Sequence, residues 1–146
     1  MAENPNISAT PPRFLSKYAK QAWKNVVPYL LAESDLKSVD KSLVEMYCTQ
    51  YGIYRDAYDS IKKDGIQTPI YKIVQNSVGE KLGTDFGGYK RNPATTIYND
   101  ALKQLLALGA QLGLSPKSRA ELNQIASTDD SGDSMASIAA MFGSKS

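Results

Sequence analysis

The chain has 146 residues, of which 42% are hydrophobic and 22% are charged, and its formal net charge is +2. This composition describes one ordinary globular domain. No apolar run reaches the roughly 20 residues that span a bilayer, and the N-terminus lacks the basic and apolar segments of a signal peptide. Cys48 is the only cysteine, which suits a reducing cytoplasm. We therefore expect a cytoplasmic protein that is not secreted and has no membrane partner.

The composition also argues against catalysis. Histidine, the commonest general base and metal ligand, is absent. A single cysteine cannot build a thiolate metal site, and the sequence has no phosphate-binding Gly-x-x-x-x-Gly-Lys-Ser/Thr loop. Asp56 and Asp59 lie one helical turn apart, but a solvated helix face explains them. We expect no enzymatic activity, no cofactor and no metal site.

The N-terminal part is predicted to be an arm followed by a helix. Residues 1–12 contain three prolines and no periodicity, which predicts a disordered arm. Residues 13–126 are predicted to form a helical domain for DNA binding and oligomerisation. Its first helix begins near Arg13 and carries a broad apolar face that includes Trp23. It is expected to end or kink near Pro28, because proline disfavours helical geometry at the preceding residue.

The first predicted helix carries a line of cations without an acid among them. These cations are Arg13, Lys17, Lys20 and Lys24. At 100° per residue they occupy a stripe about 60° wide, opposite the apolar face. The stripe is either a solvated face or a surface for DNA, which carries about one phosphate charge per 1.7 Å of axis. Lys90 and Arg91 form a second candidate DNA contact, since cations before a helix N-terminus are unfavourable for the helix dipole.

Two longer helices with matching apolar series are predicted next. The first runs from about Val39 to Lys63, after a cap at Ser38. Its series, spaced 4, 4, 3, 4 and 3 apart, consists of Leu43, Tyr47, Tyr51, Tyr54, Tyr58 and Ile61. The second runs from about Pro93 to Leu112, with Ile97, Ala101, Leu105, Leu108 and Leu112 in its series. Matching series predict that these two helices form an antiparallel hairpin.

The segment between these helices, residues 66–92, is rich in glycine and contains one β-favouring run, Ile70–Val74. A small β-hairpin and an ordered loop both fit it. The expected fold class is therefore mainly α, with a helical hairpin core, an amphipathic N-terminal helix, a short C-terminal helix and a small β-hairpin as one of the two alternatives.

The predicted helix from about Pro93 to Leu112 also carries a second apolar line, formed by Leu102, Leu106 and Gly109. One small domain has little left to cover this line, which therefore predicts an oligomerisation contact.

A compact corner follows at residues 113–119, Gly-Leu-Ser-Pro-Lys-Ser-Arg. Gly113 supplies the left-handed conformation that ends a helix. Ser115 is a good N-cap, and Pro116 fits the first helical position. These residues predict a short helix to about residue 125. Arg119 is predicted to bond carbonyl groups at the end of the preceding helix.

Residues 127–146 are predicted to form a flexible acidic tail with a short amphipathic segment. The apolar residues of that segment are Met135, Ile138, Met141 and Phe142. A helix this short is not stable alone, so we expect it to fold against a protein partner. The alternative is a disordered tail without a function.

The order of these parts resembles the small terminase subunit of tailed double-stranded DNA phages. The resemblance rests on Asn92-Pro93-Ala94, which opens a helix that runs into the Gly-Leu-Ser-Pro-Lys-Ser-Arg corner. Further matching residues, within about Pro12 to Ile125, are Trp23, Pro28, Asp40, Tyr47, Cys48, Tyr51, Tyr54 and Tyr58. Lys117 departs from the pattern, since this position is commonly small and polar in the family.

The resemblance implies a non-catalytic subunit of the genome-packaging motor in the cytoplasm of an infected bacterial host. Such subunits form homo-oligomeric rings, bind viral double-stranded DNA and deliver it to the large terminase subunit, which carries the ATPase and nuclease. The residues alone leave two alternatives open. One is a helical DNA-binding transcriptional regulator with residues 116–125 as its recognition helix, although these offer few base-reading side chains. The other is an adaptor or scaffold that does not bind DNA.

Overall fold

The structure is a computed structural model that describes residues 7–34, 36–125 and 127. In chain order it contains helix α1 (Lys17–Glu33), a short 3₁₀ turn (Ser38–Asp40), helix α2 (Lys41–Asp64), strands β1 (Gln67–Gln75) and β2 (Lys81–Arg91), and helix α3 (Ala94–Gln111). A further helix, α4, covers residues 116–125. The strands form a two-stranded antiparallel sheet. The prediction of a mainly α fold is confirmed, and residues 66–92 form the hairpin alternative.

The chain divides into two compact units, with the boundary between Leu106 and Ala107. The first unit contains α1, α2, both strands and the first part of α3. The second contains the end of α3 and α4. Within the described ranges, no helix has both the length and the apolar character needed to cross a membrane.

Helix α1 differs from its predicted bounds at both ends. Ser16 caps the helix, its hydroxyl oxygen accepting a hydrogen bond from the Ala19 N–H at 3.3 Å. Arg13 therefore lies in the turn before the helix and not within it. The helix also continues through Pro28 to Glu33. Pro28 is exposed, so water can hydrate the carbonyl group that loses its helical partner.

The core is formed by α1 against α2, and this corrects the predicted α2–α3 hairpin. The largest fully buried side chains are Trp23, Leu30, Val27, Val44 and Cys48. Gly52, one turn after Cys48, is also buried. A Cβ atom at Gly52 would lie 2.6 Å from the Ser16 Oγ and 3.3 Å from the Ala19 Cβ. The small residues of α2 permit an approach of α1 that the bulkier tyrosine series does not, and this explains why α1 takes the central position.

The tyrosine series of α2 lies beside this core. The rings of Tyr51 and Tyr54 make an edge-to-face contact with centroids 5.6 Å apart. Tyr54 also contacts Tyr98 of α3, at 5.4 Å between centroids, while Tyr58 is exposed. The series therefore links the C-terminal half of α2 to the start of α3 through aromatic contacts.

The segment before α1 is packed where the sequence predicted a disordered arm. Ile7 is buried, and the indole N–H of Trp23 donates to the Ser8 carbonyl oxygen at 3.1 Å. A buried indole needs such an acceptor, and this need ties residues 7–12 to α1. Residues 1–6 of the predicted arm lie outside the described residues.

The ends of α2 follow local rules. Asp40, and not the predicted Ser38, occupies the N-cap position of α2, where its side chain makes no capping bond to the helix. The Asp40 carboxylate instead accepts a hydrogen bond from the Lys37 N–H at 3.0 Å within the preceding 3₁₀ turn. Gly65 ends the helix with φ +82°, a conformation that favours glycine. Lys62 and Lys63 occupy the last turn, where cations complement the helix dipole.

Asn92 connects the base of the β-hairpin to α3. Its Oδ1 accepts from the Ala94 N–H at 3.0 Å, and its Nδ2 donates to the Gly65 carbonyl at 2.8 Å. Its backbone N–H donates to the Ile66 carbonyl at 3.0 Å. One buried side chain thus caps α3 and holds the two ends of the hairpin together.

The second unit confirms the predicted corner. Gly113 has φ +71°, and the Leu114 N–H donates to the Gly109 carbonyl at 2.8 Å, which is the bond of a Schellman ending. Ser115 caps α4 by accepting from the Ser118 N–H at 3.1 Å, while the Ser118 hydroxyl oxygen accepts from the Ser115 N–H at 3.2 Å. Arg119 Nη1 donates to the Gly113 carbonyl at 3.5 Å, in agreement with its predicted structural role.

Candidate nucleic-acid interface

Three of the four cations in the predicted stripe lie in the first half of α1, Lys17 and Lys20 at its first and fourth residues and Lys24 at its eighth. Lys17 and Lys24 are exposed and Lys20 is half-buried. The first turn of α1 contains no acidic residue. The N-terminus of a helix carries a partial positive charge, so lysines there are unfavourable for the isolated helix and increase its attraction for an anion. The fourth cation, Arg13, is exposed in the preceding turn.

These cations make no ion pairs within the part of the chain that the structure describes. The two ion pairs found there are Lys41–Glu45 and Lys117–Glu121, both between residues one helical turn apart. The stripe of Lys17, Lys20 and Lys24 is therefore uncompensated by acidic side chains within salt-bridge distance. Its mutual repulsion falls when an external anion binds.

A cluster that the sequence analysis missed joins this end of α1 to α2. The Tyr18 hydroxyl donates to the Asp59 carboxylate at 2.5 Å, and the Arg55 guanidinium lies over the Tyr18 ring at 4.6 Å from its centroid. Arg55 Nη1 also donates to the Tyr51 hydroxyl oxygen at 3.3 Å. Tyr51, Arg55 and Asp59 are spaced four apart, and this helical spacing was the available signal.

The hydrogen bonds of this cluster favour one arrangement of the Tyr18, Arg55 and Asp59 side chains. The hydrogen bond to Asp59 is the main cause of a raised pKa of Tyr18, so the phenol remains a donor. The hydrogen bond to Tyr51 is the main cause of a raised pKa of Arg55. The cluster thus fixes the start of α1 to α2 and adds the Arg55 charge beside Tyr18, the residue that follows Lys17.

The second candidate DNA contact lies on a different element. Lys90 and Arg91 are in β2, where they pair with Thr68 and Gln67 of β1. Arg91 Nε donates to the Thr95 hydroxyl oxygen at 2.9 Å, which explains this cation as a link between the hairpin and α3. Lys90 is exposed.

The residues predicted for oligomerisation differ in their exposure. Leu106 is 76% exposed, whereas Leu102 is half-buried. Gly109 is buried, and its carbonyl group accepts the bond that ends α3. The residues predicted for partner binding, Met135, Ile138, Met141 and Phe142, lie outside the described residues.

The residues that the sequence analysis considered for catalysis or metal binding, Cys48, Asp56 and Asp59, lie in three different environments. Burial raises the pKa of the Cys48 thiol to about 12, so the reactive thiolate is disfavoured. Asp59 accepts the Tyr18 hydroxyl, while Asp56 lines an open cleft of about 250 Å³ beside Phe14 and Ile53. In the described ranges, no three acidic, cysteine or histidine side chains are grouped in a way that could hold a metal.

Comparison with known proteins identifies the family. A family model described as phage terminase, small subunit, matches residues 19–129. The chain belongs to this family. Its role is accordingly in phage DNA packaging, and the family is generally non-catalytic. No curated protein and no solved structure matches the chain. Of the candidate DNA contacts, Lys20, Lys24, Lys90 and Arg91 fall inside the matched part.

Proposed function

We propose that this terminase small subunit binds double-stranded phage DNA through the cations at the start of α1. The observation that carries the proposal is the stripe of Lys17, Lys20 and Lys24, which is uncompensated by acidic side chains and begins at the positive end of α1. Exposed cations that neutralise phosphates release condensed counterions, which makes binding strong at low salt and independent of sequence. Arg13, in the turn before the helix, extends the same surface.

The subunit acts as a homo-oligomeric ring in the cytoplasm of the infected bacterial host. It brings viral DNA to the large terminase subunit, which carries the ATPase and nuclease. The support for this arrangement is family membership, together with apolar surface that the described residues do not cover, such as Leu106. Native mass spectrometry at micromolar concentration tests the ring, and a monomer of 15.9 kDa would overturn it.

The DNA-binding surface is tested by a triple variant, Lys17→Gln, Lys20→Gln and Lys24→Gln. Fluorescence anisotropy with a duplex DNA is measured between about 50 and 200 mM salt. We expect weaker binding to all sequences and a salt slope that is lower by about 0.9 for each lost phosphate contact. The fold is expected to persist, because these side chains lie outside the buried face of α1.

A matched control removes the same charge elsewhere, with Lys37→Gln, Lys62→Gln and Lys63→Gln, three exposed positions. The control is expected to keep the wild-type salt slope, so that an effect of net charge alone is separated from an effect of the stripe. Unchanged affinity and slope in the folded stripe variant would contradict the proposal and direct attention to Lys90.

The C-terminal tail is proposed to bind the large subunit through Met135, Ile138, Met141 and Phe142, since its acidic segment is repelled by DNA phosphates. Truncation after Ile125 is expected to leave oligomer mass and DNA affinity unchanged while stimulation of the large subunit's ATPase falls. A truncated protein that fails to assemble would place the tail in the ring interface, and unchanged stimulation would refute the docking role.

A further inference from the structure

The two sides of the β-hairpin differ in their aromatic and charged groups. Residues directly opposite each other in an antiparallel pair point to the same side, and the register pairs Tyr71 with Phe86 and Pro69 with Tyr89. Ring contacts join the three aromatic residues into one row, with centroids 6.2 Å apart for Tyr71 and Phe86 and 5.1 Å apart for Phe86 and Tyr89. We name the side that carries Tyr71, Phe86 and Tyr89 the aromatic face.

Two cations lie on the aromatic face, one at each end of the row. The register places Arg91 opposite Gln67 and Lys81 opposite Gln75, and both glutamines alternate along β1 with the same side as Tyr71. Arg91 and Lys81 are exposed. The ion pairs within the described ranges involve neither of them, so both charges are free to meet an external anion.

The two acidic residues of the hairpin lie away from this face. Asp85 is opposite Lys72 on the other side of the sheet. Glu80 lies in the connection between the strands, where its carboxylate accepts a hydrogen bond from the Asn76 side-chain amide at 3.0 Å. The aromatic face therefore combines its rings with positive charge that no acid on the same face compensates.

The chain leaves the three rings accessible, since Tyr71, Phe86 and Tyr89 are 61%, 57% and 63% exposed. Proteins that bind single-stranded nucleic acids use exposed aromatic rings, often on the face of a sheet, as platforms on which bases stack. Cations beside such rings neutralise the phosphates of the strand. The aromatic face has both components.

We propose that the aromatic face binds single-stranded DNA, with bases stacked on the three rings and phosphates close to Arg91 and Lys81. This surface is separate from the lysines of α1 that are proposed to bind duplex DNA, and it adds a second kind of DNA contact. Polar side chains on the same face, at Gln67 and Gln75, can donate hydrogen bonds to the bases or the backbone.

The ring geometry favours an unpaired strand over a duplex. The planes of Tyr71 and Phe86 meet at 69°, and those of Phe86 and Tyr89 at 72°. Bases that lie flat on successive rings are therefore turned away from one another. A duplex holds its bases paired and stacked, so that their faces are closed to a protein side chain, whereas a single strand is free to splay them.

The size and charge of the face disfavour a protein occupant. A strand of nine residues is about 30 Å long and two strands are about 10 Å wide, so the face offers roughly 300 Å². Each partner in a standard protein interface buries about 800 Å², and the core of such an interface is depleted of charged residues. A short single strand needs only a narrow track of rings and cations.

The first test removes the rings from the full-length protein with the triple variant Tyr71→Leu, Phe86→Leu and Tyr89→Leu. Fluorescence anisotropy is measured with a labelled oligo-dT of about 12 nucleotides, which covers a site of ordinary size, and with a duplex of the same length. We expect at least tenfold weaker binding to oligo-dT, because stacking on the rings is lost, and an unchanged affinity for the duplex.

A conservative variant separates stacking from other effects of substitution. Tyr71→Phe with Tyr89→Phe keeps all three rings and is expected to bind oligo-dT as the wild type does. Tyr89→Leu alone, which leaves two rings in place, is expected to weaken binding at least threefold and serves if circular dichroism shows that the triple variant is unfolded.

The second test compares two lysines of the same hairpin. Lys81→Gln removes a cation from the aromatic face and is expected to lower the salt slope of oligo-dT binding by about 0.7, the value for one phosphate contact of a single strand. Lys72→Gln removes an exposed lysine from the opposite side and is expected to keep the wild-type slope. Equal slopes in the two variants would contradict the assignment to the aromatic face.

The outcomes separate this inference from the proposed function. A wild-type protein that binds the duplex and not oligo-dT overturns the inference alone, whereas binding of oligo-dT without duplex binding overturns the proposed function alone. A triple leucine variant that keeps its affinity for oligo-dT overturns the inference, and a change in its oligomer mass would then assign the face to a protein contact. Equal losses for oligo-dT and duplex, or tighter wild-type binding to oligo-U than to oligo-dT, also overturn it.

Discussion

The α1–α2 pair and the β-hairpin bury their side chains in opposite ways. In the helical pair, Trp23, Val27 and Val44 are fully buried, and Gly52 brings the two backbones close together. In the hairpin, Tyr71, Phe86 and Tyr89 are mostly exposed, although all three are large aromatic side chains and Phe86 has no polar atom. Hydrophobicity alone therefore does not decide burial. Each helix of a pair buries the apolar face of the other. A two-stranded ribbon has two faces, and both stay exposed unless another element packs against them.

The largest expected effect is the loss of the core aromatic. Trp23→Ala is expected to lower the free energy of unfolding by about 3–5 kcal/mol, since it leaves a cavity between α1 and α2 and removes the donor to the Ser8 carbonyl. Chemical denaturation below the assembly concentration measures it. Tyr89→Ala, an equivalent truncation in the hairpin, is expected to change the same quantity by less than about 1 kcal/mol. Similar losses of unfolding free energy at Trp23 and Tyr89 would contradict the difference in burial between the helical pair and the hairpin.

The same substitution at two glycines sharpens the comparison. Gly52→Val forces a side chain into contact with Ser16 and Ala19 and is expected to destabilise the subunit by about 1–3 kcal/mol. Gly83→Val enters open space and is expected to change monomer stability by less than about 0.5 kcal/mol. Equal thermal unfolding midpoints for the two variants would show that α1 and α2 are not in close contact at Gly52.

Asn92 lies where the two regions meet, and its substitution separates two roles. Asn92→Ala removes both the cap of α3 and the bond to the Gly65 carbonyl, with an expected loss of about 1–2 kcal/mol. Asn92→Asp keeps an acceptor for the Ala94 N–H and loses the donor to Gly65. Its helicity is expected to match the wild type while amide exchange in the hairpin base accelerates. Wild-type exchange rates in Asn92→Ala would contradict this link.

The smallest effect concerns pH and belongs to the helical pair alone. Because burial raises the folded-state pKa of Cys48 to about 12, the unfolded chain loses this proton at a lower pH than the folded chain. Stability from the protonated thiol is complete below the unfolded pKa and is lost as pH rises from there toward 12. The free energy of unfolding of Cys48→Ala is therefore expected to fall less steeply with pH than that of the wild type between about pH 8 and 10. Equal slopes for the two proteins would show that the thiol is solvated.

The sequence predicted features that depend on residues close together in the chain. The ending of α3 at Gly113 and the start of α4 at Ser115 follow from backbone conformation and hydrogen bonds within a few residues, and the structure has both. The end of α2 at Gly65 agrees for the same reason. Hairpin and loop remained alternatives for residues 66–92, because glycine-rich segments with one β-favouring run permit both.

Features that depend on the approach of distant segments could not be read from periodicity. The series of Tyr47, Tyr51 and Tyr54 had the spacing of a helix contact, yet α1 packs on the neighbouring line through Cys48 and Gly52. Periodicity identifies a helix face, but it does not say which of two adjacent lines takes the nearest neighbour. The Tyr18–Asp59 bond and the Arg55 position over Tyr18 join residues about 40 positions apart and follow only from that packing.

The sequence by itself determined that the helices exist, that α2 ends at Gly65, and where the compact corner and the cationic line of Lys17, Lys20 and Lys24 lie, since each depends on local conformation and residue order. Only the tertiary structure decided that α1 is the partner of α2, that Ile7 joins the core, and that the hairpin leaves Tyr71, Phe86 and Tyr89 exposed. The physical reason is that burial is a property of surfaces brought together, and small residues such as Gly52 act through the space they leave for other segments.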